Sequence, residues 1–489
     1  MYVRAVILIF LLTHFVEANG NESAMGCVPP GNDRPNVTTV ESNLLPKVRF
    51  LGESESGSPV SERIDFLKVP AISFALIEEG RVKWTSAYGT RIAGEDDPVT
   101  CETLFQAASL SKPLTLMAAV RMQNAGLIDL DIDIQNYLRD YTLPAGEQSA
   151  DNPITFRNLL EHTSGLTPGG FPGYHRDLPL PTDIDILNGT GVANSPRLES
   201  LKQPGAELAY SGGGYTVVEV AMQDIAGKPF DELMRDWILG PLNMRSSEFT
   251  QPLPASRAKE VAQGHDGKGK TIDGGWNNYP EQAAAGLWST AGDVAKFMVE
   301  IFKAYHGQSD EFGKDAIRNL LDDERDSHVY GFIVSGNEGE APTITHYGGN
   351  VGYRSFMFIN LQTGDGAVYL TNSDGGGNLG SEFLYSASRV YGWQSYQQEE
   401  AVRAFRSEAA LKRLVGEYAF NENLKVTVDY SDSEKAIGVN FPNGDRYSLV
   451  PIAEDDQFIH AGSGVTVSFA IDADTQSLTL YGDTAKRVD

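Results

Sequence analysis

Ser109-Leu110-Ser111-Lys112 sets a hydroxyl and an amine three residues apart. On a helix this spacing stacks the two side chains one turn apart on one face. The amine can then take the hydroxyl proton and leave the serine oxygen as a nucleophile. The residues that follow, "PLTLMAAVRMQNAG", repeat Leu114, Met117 and Val120 at helical spacing before Gly126, which predicts a helix. Pro113 is compatible with its first turn, whose N–H groups lack intrahelical partners anyway. Further on, "PGAELAYSGGGY" places Tyr210 on a glycine-rich loop, where a phenol beside a lysine can pass a proton to a leaving group. "HYGG" at 346–349 begins a strand-like run whose edge can offer a backbone N–H to an oxyanion.

Other chemistries are weaker in this sequence. "GHDGKGKT" at 264–271 fits G-x-x-x-x-G-K-[ST] letter for letter. A phosphate-binding loop needs a buried strand before it and a helix after it. Here "QPLPASRAKEVAQ" precedes and "IDGGWNNYP" follows, so the octapeptide reads as a surface loop. "IDLDIDI" at 128–134 fails as a calcium loop because Ile134 stands where glycine is needed. No zinc spacing and no G-x-S-x-G elbow occur. No metal and no cofactor are expected. His162 and Ser164 in "EHTSGL" resemble triad members, but the stretch reads as a structural loop.

Elements able to position such residues are visible along the chain. Its 489 residues exceed one ordinary domain, and 41% hydrophobic with 21% charged residues describes a globular chain with a large core. A formal charge of −27 argues against nucleic acid and anionic lipid as partners and reads as a solvated surface. The partner expected is a small-molecule or peptide substrate, with the oligomeric state open. "MYVRAVILIFLLTHFVEA" reads as a signal peptide over 1–18, too short to span a bilayer. That predicts a secreted, periplasmic or cell-surface protein. The two cysteines, Cys27 and Cys101, can pair after export, though spacing alone does not establish it. Residues 19–60 are rich in Asn, Ser, Gly and Pro and read as a flexible linker. "VPAISFALIEEGRVKWTSAYG" predicts two strands joined at Glu79-Gly80, and "ITHYGGNVGYRSFMFINLQTGDGAVYLTNS" three more before a helix. Strands at both ends of a helical middle imply an α/β sandwich with a helical insertion. Short strands with polar turns from about residue 414 imply a small β domain.

Taken in order, Ser109-x-x-Lys112, Tyr210 and "HYGG" resemble the serine β-lactamase and DD-peptidase superfamily, in particular its class C-like branch with esterases and D-aminopeptidases. Supporting stretches are "LLEHTSGL" at 159–166, "GPLNM" at 240–244 and "AGLWSTAGDVAKFM" at 285–298. The resemblance covers roughly 61–395 and implies an antiparallel sheet sandwiched by helices. It makes Ser109 the nucleophile, Lys112 its base and Tyr210 the second proton carrier. His346 takes the place of the lysine in the family's K-T-G strand, the N–H groups of Ser109 and Gly349 form the oxyanion hole, and Gly212 and Gly348 lie at the substrate position. The expected organisation is a signal peptide (1–18), a linker (19–60), the hydrolase domain (61–395), a second linker (396–413) and a lipocalin-like β domain (414–489), which the resemblance makes a small all-β barrel.

Two departures shape the expected specificity. The family's Y-x-N pattern is here Tyr210-Ser211-Gly212, so the amide that grips an acylamino carbonyl is missing. Such a lost bond costs about 1–3 kcal/mol if its partner stays buried. His346 for lysine holds a substrate carboxylate less firmly, because histidine is only partly charged near neutral pH. Both move the expectation from β-lactamase or DD-peptidase toward an esterase or peptidase working through an acyl-enzyme. Each residue alone also fits a structural role: Ser109 as a cap, Lys112 as an exposed helix residue, Tyr210 as a loop aromatic, His346 as a strand histidine. A catalytically quiet wall-binding or signalling protein of the same fold therefore stays open.

Overall fold

The structure is a computed structural model that describes residues 33–53, 57–321, 331–336, 341–422, 424–442, 446–453, 457–471 and 476–488. The expected signal peptide and Cys27 lie outside these residues. Its centre is a six-stranded antiparallel sheet in the spatial order Arg81–Gly89, Ala71–Glu78, Gly366–Thr371, Tyr353–Asn360, Thr343–Asn350, Ile333–Ser335. Strand alternation gives the sheet two apolar faces. Ala71, Ala75 and Ile77 join Met357, Val368 and Leu370 beneath the Ala291–Tyr305 helix, which contributes Val294, Phe297 and Met298. Ile72, Phe74 and Leu76 join Phe356 and Phe358 on the other face, under Leu379, Phe383 and Ala387 of the Gly376–Tyr391 helix. A strand covered on both sides is buried along its whole length, as Ala71–Ile77 is. The expected sandwich is therefore present, with the helices between Ser111 and Leu321 inserted between the sheet's second and third strands in chain order, Arg81–Gly89 and Ile333–Ser335.

The described part of the segment expected to be a linker, residues 33–53 and 57–60, is built into this layer structure. Arg34–Glu41 is a helix whose Val37 and Val40 pack into the second core, and Glu41 accepts a hydrogen bond from the Tyr88 hydroxyl at 2.8 Å. Val48–Phe50 pairs in parallel with Glu399–Ala401. Composition pointed to a linker because Asn, Ser and Pro dominate there, while a few well-spaced valines and leucines sufficed to anchor it. The eight strands from Gly416–Ala419 to Asp483–Arg487 close into a barrel around Tyr418, Val428, Val439, Leu449 and Leu478. The barrel meets the Val48–Phe50 ribbon through Val48, Ile452 and Ile459, and the Val48 N–H donates to the Ala461 carbonyl at 3.0 Å.

"GHDGKGKT" forms a tight turn. The Asp266 carboxylate accepts the N–H groups of Lys268 and Lys270, both at 2.9 Å, and the Asp266 carbonyl accepts that of Gly269 at 2.9 Å. The donors a phosphate would need are already occupied by the chain's own carboxylate and carbonyl oxygens. Asp131, in the acidic "IDLDIDI" stretch, is paired with Arg157 at 2.6 Å.

A group of carboxyls lies inside the helical insertion. Glu219, in the Gly212–Ala226 helix, and Glu281 are both 0% exposed. Glu219 accepts the Ala283 N–H at 2.8 Å through Oε2, whereas neither oxygen of Glu281 meets a donor from another residue. Burial, with Asp183 nearby, pushes the Glu281 carboxyl up to about 8, and burial raises Glu219 as well. A carboxyl raised on folding stabilises the fold below its unfolded value near 4.5, and that contribution is lost as pH rises through the folded value. Glu281→Gln removes the ionisation while keeping shape. Its stability relative to wild type should therefore grow from pH 5 to pH 8, by at most about 1.4 kcal/mol per pH unit. Thermal melts of both proteins at several pH values measure this, and a difference independent of pH contradicts it.

Candidate active site

Ser109 stands at a sharp junction. The strand Phe105–Ala108 pairs with Leu287–Ser289, and the helix Ser111–Asn124 begins two residues later, after Leu110 at its N-cap. Ala108 turns the chain with a left-handed φ of 51°. A non-glycine residue there is held by its surroundings. The Ser111 hydroxyl donates to the Ala108 carbonyl at 2.6 Å, and the Leu110 N–H to the Ala107 carbonyl at 3.1 Å. Of the two serines in "SLSK", Ser111 is fully buried and accepts the Leu287 N–H, whereas Ser109 keeps partial exposure.

Lys112 is 2% exposed, and its Nζ donates to Ser109 Oγ at 3.3 Å and to the Ala284 carbonyl at 2.6 Å. The acceptor sits on the short helix Gln282–Ala285. Several side chains hold that turn: Glu219 at the Ala283 N–H, Thr115 Oγ1 at the Ala283 carbonyl (3.2 Å) and Asn350 Nδ2 at the Ala285 carbonyl (3.2 Å). The lysine is thus aimed from two directions, by its own helix and by the turn opposite. The expected exposed-helix alternative for Lys112 does not hold.

Tyr210 immediately precedes Ser211, which caps the Gly212–Ala226 helix by accepting the Gly214 N–H at 2.8 Å. The Tyr210 ring lies 4.9 Å from Lys112 Nζ and is 41% exposed. His346 is 3% exposed within the Thr343–Asn350 strand, and Nδ1 donates to the Tyr347 carbonyl at 2.7 Å. The lone pair is therefore on Nε2. Burial first, and the Lys112 charge second, lower His346 to about 3, so the ring is neutral throughout the ordinary pH range rather than partly charged as the sequence suggested.

Gly348 explains how this strand comes so near. A Cβ built there would fall 2.1 Å from Ser355 Oγ and 2.5 Å from the Ala107 carbonyl oxygen, so only glycine fits. Gly349 follows on the exposed side. Ser109, Lys112, Tyr210, His346, Gly348 and Gly349 thus come from three separated stretches to one place. Gly212 lies at its margin with ordinary helical backbone, not positive φ. A Cβ on Gly212 would meet Phe171 Cε2 at 2.9 Å and the Gly169 carbonyl oxygen at 3.1 Å.

His162 was read as a loop residue, yet it lies beneath Tyr210 with ring centroids 4.2 Å apart. Its burial and the nearby Lys112 charge hold the imidazole well below its usual range. Phe171 and Glu219 were not singled out at all. "LLEHTSGL" carried the signal for His162, but nothing in the sequence places that loop against residue 210. Among the described residues no cluster of His, Cys, Asp and Glu could hold a metal ion.

Comparison with known proteins agrees with this geometry. The chain is 22% identical over 427 residues to "Penicillin-binding protein 4*" of Bacillus subtilis (strain 168), covering 83% of this chain and 91% of that protein. It is 25% identical over 321 residues to the D-alanyl-D-alanine-carboxypeptidase/endopeptidase AmpH of Escherichia coli (strain K12), covering 61% and 78%. Among solved structures, the octameric penicillin-binding protein homologue from Pyrococcus abyssi superposes with a TM-score of 0.58 at 20% identity, covering 88% of this chain and 98% of that one. The D-amino acid amidase from Ochrobactrum anthropi SV3 gives 0.53 at 20% identity, over 68% and 98%. These two likenesses establish the fold. The profile of the Beta-lactamase family matches residues 61–388, well over half of the chain, and this protein belongs to that family of serine hydrolases.

Proposed function

We propose that this protein is an exported hydrolase that forms an acyl-enzyme on Ser109 and acts on esters, amides or short peptides in preference to β-lactams. The observation that carries the reading is the buried Lys112 amine, held on Ser109 Oγ at 3.3 Å by the Ala284 carbonyl. In the proposed reaction Lys112, with Tyr210, takes the Ser109 proton as Oγ attacks the substrate carbonyl. The tetrahedral oxyanion is met by the N–H groups of Ser109 and Gly349. Collapse releases the leaving group with a proton delivered through Tyr210. Water then attacks the ester on Ser109, and the same groups return the proton to Oγ.

The strand geometry supports the oxyanion assignment. The hairpin closes on the Asn350–Tyr353 pair, so the alternate residue Gly349 turns its N–H away from the Tyr353–Asn360 strand. Among the described residues, the edge strand Ile333–Ser335 pairs only as far as Thr345, which leaves that N–H on an open edge of the described sheet. Export is supported by Cys101, which is disulfide-bonded, a state that persists in oxidising compartments. Among the described residues no helix is long and apolar enough to cross a membrane.

Specificity follows from two groups. A neutral His346 offers an acceptor at Nε2 and no positive charge, so a substrate carboxylate gains little there. Beside Gly212, the Phe171 ring and the Gly169 carbonyl occupy the space an amide side chain would take. A simple ester loses nothing at that position, whereas an acylamino carbonyl arrives without a donor.

Ser109→Ala should abolish labelling by a fluorophosphonate probe and lower ester turnover by at least about 10³-fold, with little change in Tm. Ser111→Ala, whatever it costs in stability, should still be labelled at Ser109. Mass mapping of the adduct decides, and a label on another serine, or none on the wild type, sinks the mechanism. A second comparison addresses specificity through kcat/KM for one nitrophenyl ester and one cephalosporin. Gly212→Asn alone should lower ester turnover by crowding Phe171. Combined with Phe171→Ala, it should improve cephalosporin acylation by a factor equivalent to about 1–2 kcal/mol while the ester does not gain. Parallel changes for both substrates contradict the role given to this corner.

A further inference from the structure

His162 is a buried side chain in the site that the proposed chemistry does not use. It follows the Phe156–Leu160 helix, is 0% exposed, and holds a left-handed backbone with φ 59°. Such a conformation in a residue other than glycine is maintained by its surroundings and is commonest where a precise geometry is needed.

Its contacts converge on Tyr210. The His162 carbonyl accepts the Ala209 N–H at 2.7 Å, and His162 Nδ1 accepts the Ser211 N–H at 3.0 Å. The residues on both sides of Tyr210 are therefore bonded to His162. The Tyr210 ring lies on the imidazole at 4.2 Å between centroids, and the buried Tyr215 ring also packs against the imidazole at 5.1 Å. The Ser211 bond also fixes the tautomer: Nδ1 carries the lone pair and Nε2 the hydrogen. Protonation at Nδ1 would remove the acceptor, and burial opposes that charge. Tyr210 has no comparable support of its own. It is 41% exposed, on a loop leading to a helix cap, and an exposed tyrosine samples its rotamers freely.

We propose that His162 is a positioning residue that holds the Tyr210 ring over Lys112, through two backbone bonds and one ring face. The proposal rests on the reading of Tyr210 as the second proton carrier. By this account His162 touches no reacting atom. It restricts Tyr210 to the orientation in which its hydroxyl can serve both Ser109 and the leaving group, which raises turnover rather than binding. The stretch "HTSGL" thus owes its place in the site to what it does for a residue 48 positions away in the chain.

A double-mutant cycle on nitrophenyl ester hydrolysis tests this, with His162→Asn, Tyr210→Phe and the pair. Asparagine tolerates the left-handed backbone, and its amide oxygen can accept the Ser211 N–H, so the variant chiefly loses the ring. In the wild-type background His162→Asn should lower kcat by about tenfold or more with KM within about threefold. In the Tyr210→Phe background the same change should alter kcat by less than about twofold. Equal losses in both backgrounds, or a loss confined to KM, overturn the proposal. The reading of Tyr210 fails separately, if Tyr210→Phe alone turns over like wild type while Ser109 still labels. Should His162→Asn not fold, His162→Gly keeps the backbone and the carbonyl and leaves a ring-sized gap. Added imidazole should then restore kcat with Tyr210 present and not with Phe at 210, and failure to restore it also overturns the proposal.

Discussion

The bond from Lys112 Nζ to the Ala284 carbonyl oxygen, 2.6 Å long and out of water, is the constraint on which the rest of the site depends. A buried amine must have hydrogen-bond acceptors, because leaving it unpaired there is strongly unfavourable. Ser109 Oγ supplies one acceptor and Ala284 the other, so the position of the Gln282–Ala285 turn decides where the amine points. That turn is only four residues long and cannot hold itself. Glu219, Thr115 and Asn350 hold it from three different parts of the chain. Asn350 in turn accepts its place from the sheet and also bonds Gln106 of the strand leading to Ser109. The lysine, the serine and the Thr343–Asn350 strand are therefore linked through one set of backbone groups.

The second constraint is close approach. The Thr343–Asn350 strand reaches the Ser109 junction only because Gly348 has no side chain and Ser355 bonds the Ala107 carbonyl at 2.7 Å. The sandwich behind it supplies rigidity: helices on both faces fix the strand, and the strand fixes the edge that carries Gly349. The Val48–Phe50 ribbon packs on the barrel, and among the described residues neither contributes a side chain to the site. The carboxyl that helps hold the Gln282–Ala285 turn, that of Glu219, is itself fully buried.

Much of this was legible in the sequence, for identifiable reasons. Ser109 and Lys112 are local, so spacing alone relates them. Tyr210 and His346 could be joined to them only through the resemblance in order and motif, and the family match supports that resemblance. The sandwich and a small β domain were visible as strand alternation and turn residues, while the closure of that domain into a barrel came only with the resemblance. What escaped depends on long-range packing. His162 lies 48 residues before Tyr210, and nothing in either stretch announces that one sits on the other. Phe171 fills the corner that Gly212 leaves, but a phenylalanine in a Gly/Pro loop has no periodicity to reveal its direction. Residues 33–53 looked like linker because most are polar, and the few apolar ones proved to be the anchors. The nucleotide-loop match failed in the way its flanks foretold, with an aspartate accepting the N–H groups a phosphate would need.

The central claim is that the Ser109 proton leaves through an amine held by Ala284. Pre-steady-state hydrolysis of a nitrophenyl ester measures that step directly, because the first equivalent of nitrophenol reports acylation. The wild type should release a burst of about one equivalent per enzyme, and Lys112→Met, with similar length and no amine, should slow the burst by about 10³-fold or more while its melting temperature shows it folded. A burst of wild-type rate in Lys112→Met would contradict the account, because the serine would then be activated by something other than the lysine beside it.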